Sequence, residues 1–192
     1  MKRMFLFVPM AVTGLGMFAS GQAMQAMPKP EERRTLTQVM DRALTNVEKE
    51  FTSAAEAMPE DKYGYAPTEG EFKGVRTFAA QVKHVAASNY EFGAVILQEK
   101  PPLDVGGEEG PASIKTKAEI LQFLKDSFAY MHKAIATMNE QNATESLKSP
   151  WGQNTVTRLG ITTLTVAHCF DHYGQMVVYL RHNGIIPPAS RG

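Results

Sequence analysis

A chain of 192 residues is long enough to bury one sizeable core and too short to expect two domains. Its 43% hydrophobic and 21% charged content excludes general disorder. The Lys and Arg residues balance the Asp and Glu residues at a formal net charge of zero, and no basic run is interleaved with aromatics, so no nucleic-acid partner is expected.

The first residues read as an export signal. Lys2 and Arg3 form a positive start, Met4 to Phe18 is an apolar stretch interrupted by Pro9, Gly14 and Gly16, and Gly21-Gln22-Ala23 places small residues where a signal peptidase reads. Cleavage is expected after Ala23, with Ala26 as the alternative. The apolar run is short for a span of ~20 residues and is broken, so a stable membrane anchor is not expected after cleavage. The mature protein is predicted to be periplasmic or secreted. Cys169 is the single cysteine, so no internal disulfide can form and stability must come from packing. Although it adjoins His168, a helical neighbour points ~100 degrees away, and a buried, inert thiol is expected.

Residues 24–34, with Pro28 and Pro30, read as a flexible lead-in, and 35–192 as one folded domain. From Thr35 onward Leu36, Met40, Ala43, Val47, Phe51, Ala54 and Met58 recur at helical steps until Pro59. The segment 60–74 is dense in turn formers, and its Tyr63 and Tyr65 are expected to cap the core. A second helix is predicted over 75–97 through Phe78, Val82, Val85, Phe92 and Val95, with His84 at the edge of its apolar stripe. After the Pro/Gly-rich connection 100–115, in which Gly106-Gly107 reads as loop chemistry alone, Thr116 and Glu119 form a capping box. The third helix carries the cleanest seam: Leu121, Leu124, Phe128, Met131, Ile135 and Met138, with His132 on its flank. Residues 139–154 are polar, Trp151 is expected to plug one end of the core, and no strand-period alternation is found. The last helix is predicted from Thr157 to His182, with Asn183-Gly184 and Pro187-Pro188 ending it. The fold class that follows is all-α, an antiparallel four-helix bundle.

The last helix is unusual for a bundle. Ile161, Leu164, His168, His172, Gln175 and Tyr179 share a face, so polar groups stand where apolar ones are expected, and burying each unpaired costs about 1–3 kcal/mol. His168 and His172 are four apart, close to one turn, and project together. A divalent metal bound by His84, His168 and His172 would offset the burial and leave an open position, the pattern of a catalytic or substrate-binding site. Gln175 is a candidate for orienting a ligand or touching substrate, or for bonding to a neighbouring helix; Asp171 and Tyr173 are expected at the helix surface. No carboxylate is placed as a general base, and no nucleophile with a partner or phosphate-cradling loop is found.

The stretch Tyr63-Gly64-Tyr65-Ala66-Pro67, the run FAAQVKHVAASNYEFG from Phe78 and the run HCFDHYGQMVVYLRHNGIIPPAS from His168 together resemble the DinB family, over about Thr35 to Ser190. The resemblance implies a four-helix bundle in which a second-helix histidine and the His-x-x-x-His of the fourth bind a divalent metal, usually nickel or zinc; His84, His168 and His172 match those positions. It further implies a homodimer, and an activity of the metal-dependent hydrolase or thiol-transferase kind. The export signal departs from cytosolic thiol-transferase relatives and argues against a reducing-thiol cosubstrate. The alternative function is a non-enzymatic bundle binding metal, a small molecule or a protein partner.

Overall fold

Threonine opens each of the four long helices in the computed structural model, which describes residues 33–191 apart from 69 and 72. The export signal, both cleavage points and nearly all of the lead-in 24–34 lie outside the described residues. Helix α1 spans Leu36–Ala57, α2 Phe78–Leu97, α3 Lys117–Ala136 and α4 Arg158–His182. The hydroxyls of Thr35, Thr77, Thr116 and Thr157 accept from the amides of Gln38, Ala80, Glu119 and Gly160, satisfying donors that have no partner inside the helix. The capping box of Thr116 with Glu119 is present, and Thr35 with Gln38 forms a second one. Among the described residues, no helix is long and apolar enough to cross a membrane.

The bundle contains two antiparallel pairs. His132 of α3 meets Asp41 of α1 while Lys125 meets Glu56, so α1 and α3 run oppositely. Gln81 of α2 meets Gln175 of α4 while Ile96 meets Arg158, so α2 and α4 do too. Between the pairs the sense is parallel: Tyr90 packs on Phe123 and Gly93 on Tyr130, and Glu50 bonds Tyr173 while Lys62 bonds Asn183. A parallel neighbour requires the chain to travel back the length of a helix, about 30 Å for the 20 residues of α2, and the connection 98–116 is long enough to do so.

The core is drawn from the predicted stripes. Val47, Phe51, Ala54 and Met58 of the first stripe are buried, with Leu44 replacing Ala43 at its start, and Leu124, Phe128, Met131, Ile135 and Met138 are buried in the third. Phe51 and Phe128 meet edge to face at 6.5 Å across α1 and α3, each contributing about 1.5–3 kcal/mol of burial. Tyr63 closes one end, its ring 5.3 Å from Phe78 and its hydroxyl donating to the Ala55 carbonyl. Buried Asn89 ties three helices, donating to Ser127 of α3 and accepting from the Cys169 thiol of α4. Cys169 is fully buried, and burial pushes its thiol up to about 12, so it stays a thiol.

Three expectations are corrected. Ser146–Lys148 (β1) pairs antiparallel with Thr155–Thr157 (β2), with Leu147 opposite Val156; three-residue strands are too short to display alternation. Trp151 does not plug the core. It sits in the hairpin loop 49% exposed, held by Ser149, with its ring 5.4 Å from that of Phe92. Leu164 is also exposed: the inward row of α4 is Ile161, Thr165, Cys169, Met176 and Leu180, and the two histidines stand at its border with α2.

Candidate metal centre

His84 on α2 and the pair on α4 converge because α2 and α4 lie antiparallel and side by side. The Nε2 atom of His168 is 3.1 Å from Nε2 of His84 and 3.1 Å from Nε2 of His172, and the three residues offer ligand atoms all within 4.8 Å of one another. His84 and His172 are buried, and His168 is partly so.

The outer nitrogens decide what the inner ones carry. His84 Nδ1 lies 2.8 Å from the carbonyl oxygen of Glu108, which can only accept, so Nδ1 holds the proton and Nε2 presents a lone pair. His172 Nδ1 lies 2.5 Å from Oε1 of Gln81. Gln81 in turn donates through Nε2 to Oε1 of Gln175, 2.8 Å away, and Gln175 donates through Nε2 to the Asp171 carboxylate at 3.2 Å. A carboxylate accepts only, so Asp171 orients the Gln175 amide, which orients Gln81, which fixes the proton of His172 on Nδ1. Two lone pairs therefore face His168 Nε2, which can carry one proton at most while neutral. At least one contact is lone pair against lone pair.

Protonation of the pair on α4 does not relieve it. Burial, reinforced by the other imidazoles, pulls His168 down to about 4 and His172 down to about 3, so both are neutral near pH 7. Among the described residues His168 Nδ1 is buried without a hydrogen-bond partner. The arrangement fits a cation: two nitrogens on a common tetrahedral ion at 2.0–2.1 Å would lie about 3.3 Å apart, close to the observed spacing. Three imidazole nitrogens suit a borderline divalent ion, and among the described residues they leave a coordination position unfilled by protein.

All three histidines singled out in the sequence meet here, and Gln175 reaches α2 through Gln81. Gln81 itself was not anticipated; its signal is a glutamine one turn before His84 on a largely apolar helix. Glu108 was not anticipated either: its backbone carbonyl accepts from His84 Nδ1, and its carboxylate lies 3.3 Å from the same nitrogen. It is delivered by the 3-10 turn Gly107–Glu109 after Gly106, whose positive φ and close approach to Gly110, 2.4 Å from an added Cβ, admit only glycine, so the doublet does more than turn the chain. Tyr63, Tyr65 and His132 lie apart from the centre: Tyr65 bonds His182, and His132 bridges Asp41 and Glu48.

Solved structures repeat this fold. A conserved protein of Enterococcus faecalis matches with TM-score 0.61 and 15% identity, over 78% of this chain and 97% of that one. A DinB-like protein of Bacillus subtilis matches at 0.59 and 18%, over 76% and 92%. YfiT of Bacillus subtilis, described as a probable metal-dependent hydrolase with an unusual four-helix bundle topology, matches at 0.58 and 19%, over 82% and 94%. Among curated proteins no match is found. The DinB superfamily profile matches residues 43–176, most of the described chain, and with these folds it shows that the protein belongs to the DinB superfamily.

Proposed function

We propose that His84, His168 and His172 hold a divalent metal, zinc or nickel, through their Nε2 atoms, and that the centre serves metal-dependent hydrolysis. The observation that carries the reading is the set of three Nε2 atoms turned toward one another with too few protons to share. A bound ion would supply a Lewis acid able to polarise a substrate oxygen or acidify water. The chain's own part is orientation: the Glu108 carbonyl and the Asp171–Gln175–Gln81 series hold two imidazoles in the ligating tautomer, and Phe92, 5.8 Å from His168, shields the centre on one side. Hydrolysis is supported by the description of YfiT and needs no cytosolic cosubstrate; the thiol-transferase reading sits poorly with the export signal.

The test is metal analysis of the purified domain with melting in the presence and absence of chelator. Metal bound at a thousandfold excess over its Kd stabilises by about 4 kcal/mol, so removal lowers Tm by roughly 8–16 °C. His172→Ala abolishes stoichiometric metal. Metal-free protein with a chelator-insensitive Tm overturns the reading, and collapse of the fold in His172→Ala favours the non-enzymatic alternative. Export, supported by Lys2, Arg3 and the apolar run to Phe18, is tested by N-terminal sequencing of the extracytoplasmic protein: a start at Met24 is expected, and an intact Met1 refutes it.

A further inference from the structure

Beside the histidines a recess of about 740 Å3 opens between α2, the 3-10 turn Gly107–Glu109 and the β-hairpin, within the range of small-molecule sites. It shares a wall with the centre: Glu108 lines it and contacts His84, and Phe92 lies edge-on to both His168 and Trp151. The Trp151 indole, with Pro101 and Pro150, forms its apolar side. Three carboxylates line it against a single cation, Lys148 on the exposed strand β1. Glu108 is already paired with Arg76 at 2.9 Å, and Glu99 accepts from the Tyr130 hydroxyl at 2.9 Å. Glu91, two turns along α2 from His84, is half-buried, and among the described residues no hydrogen bond or salt bridge engages its carboxylate. Burial, then the charge of Glu108, raises its pKa, so the site penalises the carboxylate it presents. An incoming cation would relieve that penalty, and an indole lining the same recess can favour cations further.

We propose that this recess binds an organic amine with a flat apolar body, the ammonium on Glu91 and the body against Trp151. The inference names the substrate class of the histidine centre and rests on the metal reading for the reaction alone; binding itself needs no metal.

Trp151 is the single tryptophan, so its emission reports occupancy directly. The full chain, as purified and after chelator treatment, is titrated with 2-phenylethylamine and with the near-isosteric 3-phenylpropanoate, with calorimetry alongside. A saturable emission change is expected for the amine in both preparations, at least about tenfold tighter than for the carboxylate, as a charge-assisted contact requires. Glu91→Gln weakens amine binding about tenfold, and Asp61→Asn, exposed and outside the recess, leaves it unchanged. Absence of saturation, equal or tighter binding of the carboxylate, or an unaffected Glu91→Gln overturns the proposal. The comparison of the two ligands on the unmodified chain stands without any variant. Metal content, measured separately, tells failure here from failure of the metal reading.

Discussion

Replacing Gln81 by Met tests whether the protein holds its ligands in a chosen tautomer. Gln81 is 2% exposed and accepts from His172 Nδ1 at 2.5 Å, so Met fills similar space while leaving a buried N–H without an acceptor. An unmet buried donor costs about 1–3 kcal/mol, and losing the orienting partner of a metal-bound imidazole typically weakens binding 10–100-fold, about 1.4–2.8 kcal/mol. The two figures agree, so a Kd about 10–100 times that of the unmodified protein is expected in competition against a chromophoric chelator at fixed pH. Gln81→Glu, which keeps an acceptor for His172, restores most of the affinity. Asp171→Ala, at the solvent-exposed end of the series, costs no more than about threefold, because water replaces its oxygen. A Gln81→Met protein that folds and binds metal within about threefold of the original would refute the orienting role.

Two further outcomes concern the scaffold. His132 meets Asp41 at 2.6 Å through Nδ1 and Glu48 at 3.0 Å through Nε2, so both nitrogens donate and the folded state favours imidazolium; Glu48 first, then Asp41, raises its pKa. Its contribution is therefore fully present below about 6.5, the unfolded value, and is lost as pH rises through the higher folded value. His132→Ala should cost more at pH 6 than at pH 9, by at most about 1 kcal/mol, because the imidazole is 26% exposed and solvent screens the pair; equal costs in denaturant melts at the two pH values would contradict this. Gly93→Ala places a methyl 2.8 Å from the Tyr130 ring, and the resulting displacement of α3 should destabilise by about 1–3 kcal/mol; an unchanged urea midpoint would show that Tyr130 yields freely.

The helices and the three histidines were legible because each rests on spacing. Thr116 with Glu119 announced a start, Leu124 to Met138 announced a seam, and His168 with His172 announced a shared face. Helical sense was not legible, since the direction of α3 relative to α2 depends on how the connection 98–116 travels and not on any stripe. Trp151 misled because its size suggests burial, yet the hairpin that carries it is fixed by two three-residue strands and the Ser149 hydroxyl. Glu108 was invisible for a different reason: a backbone carbonyl can be supplied by any residue, and only the glycines before it hinted at a constrained turn.

The segments bearing the three imidazoles are brought together only after long stretches of intervening chain have found their places. An unfolded polypeptide offers at best the turn-spaced pair, which a lone coil grips weakly, so tight capture of an ion must follow folding. If the chain is exported as proposed and folds only after crossing, the choice of ion would be made by whatever is abundant on the far side, and the concentration of metals in the cell interior would have little say.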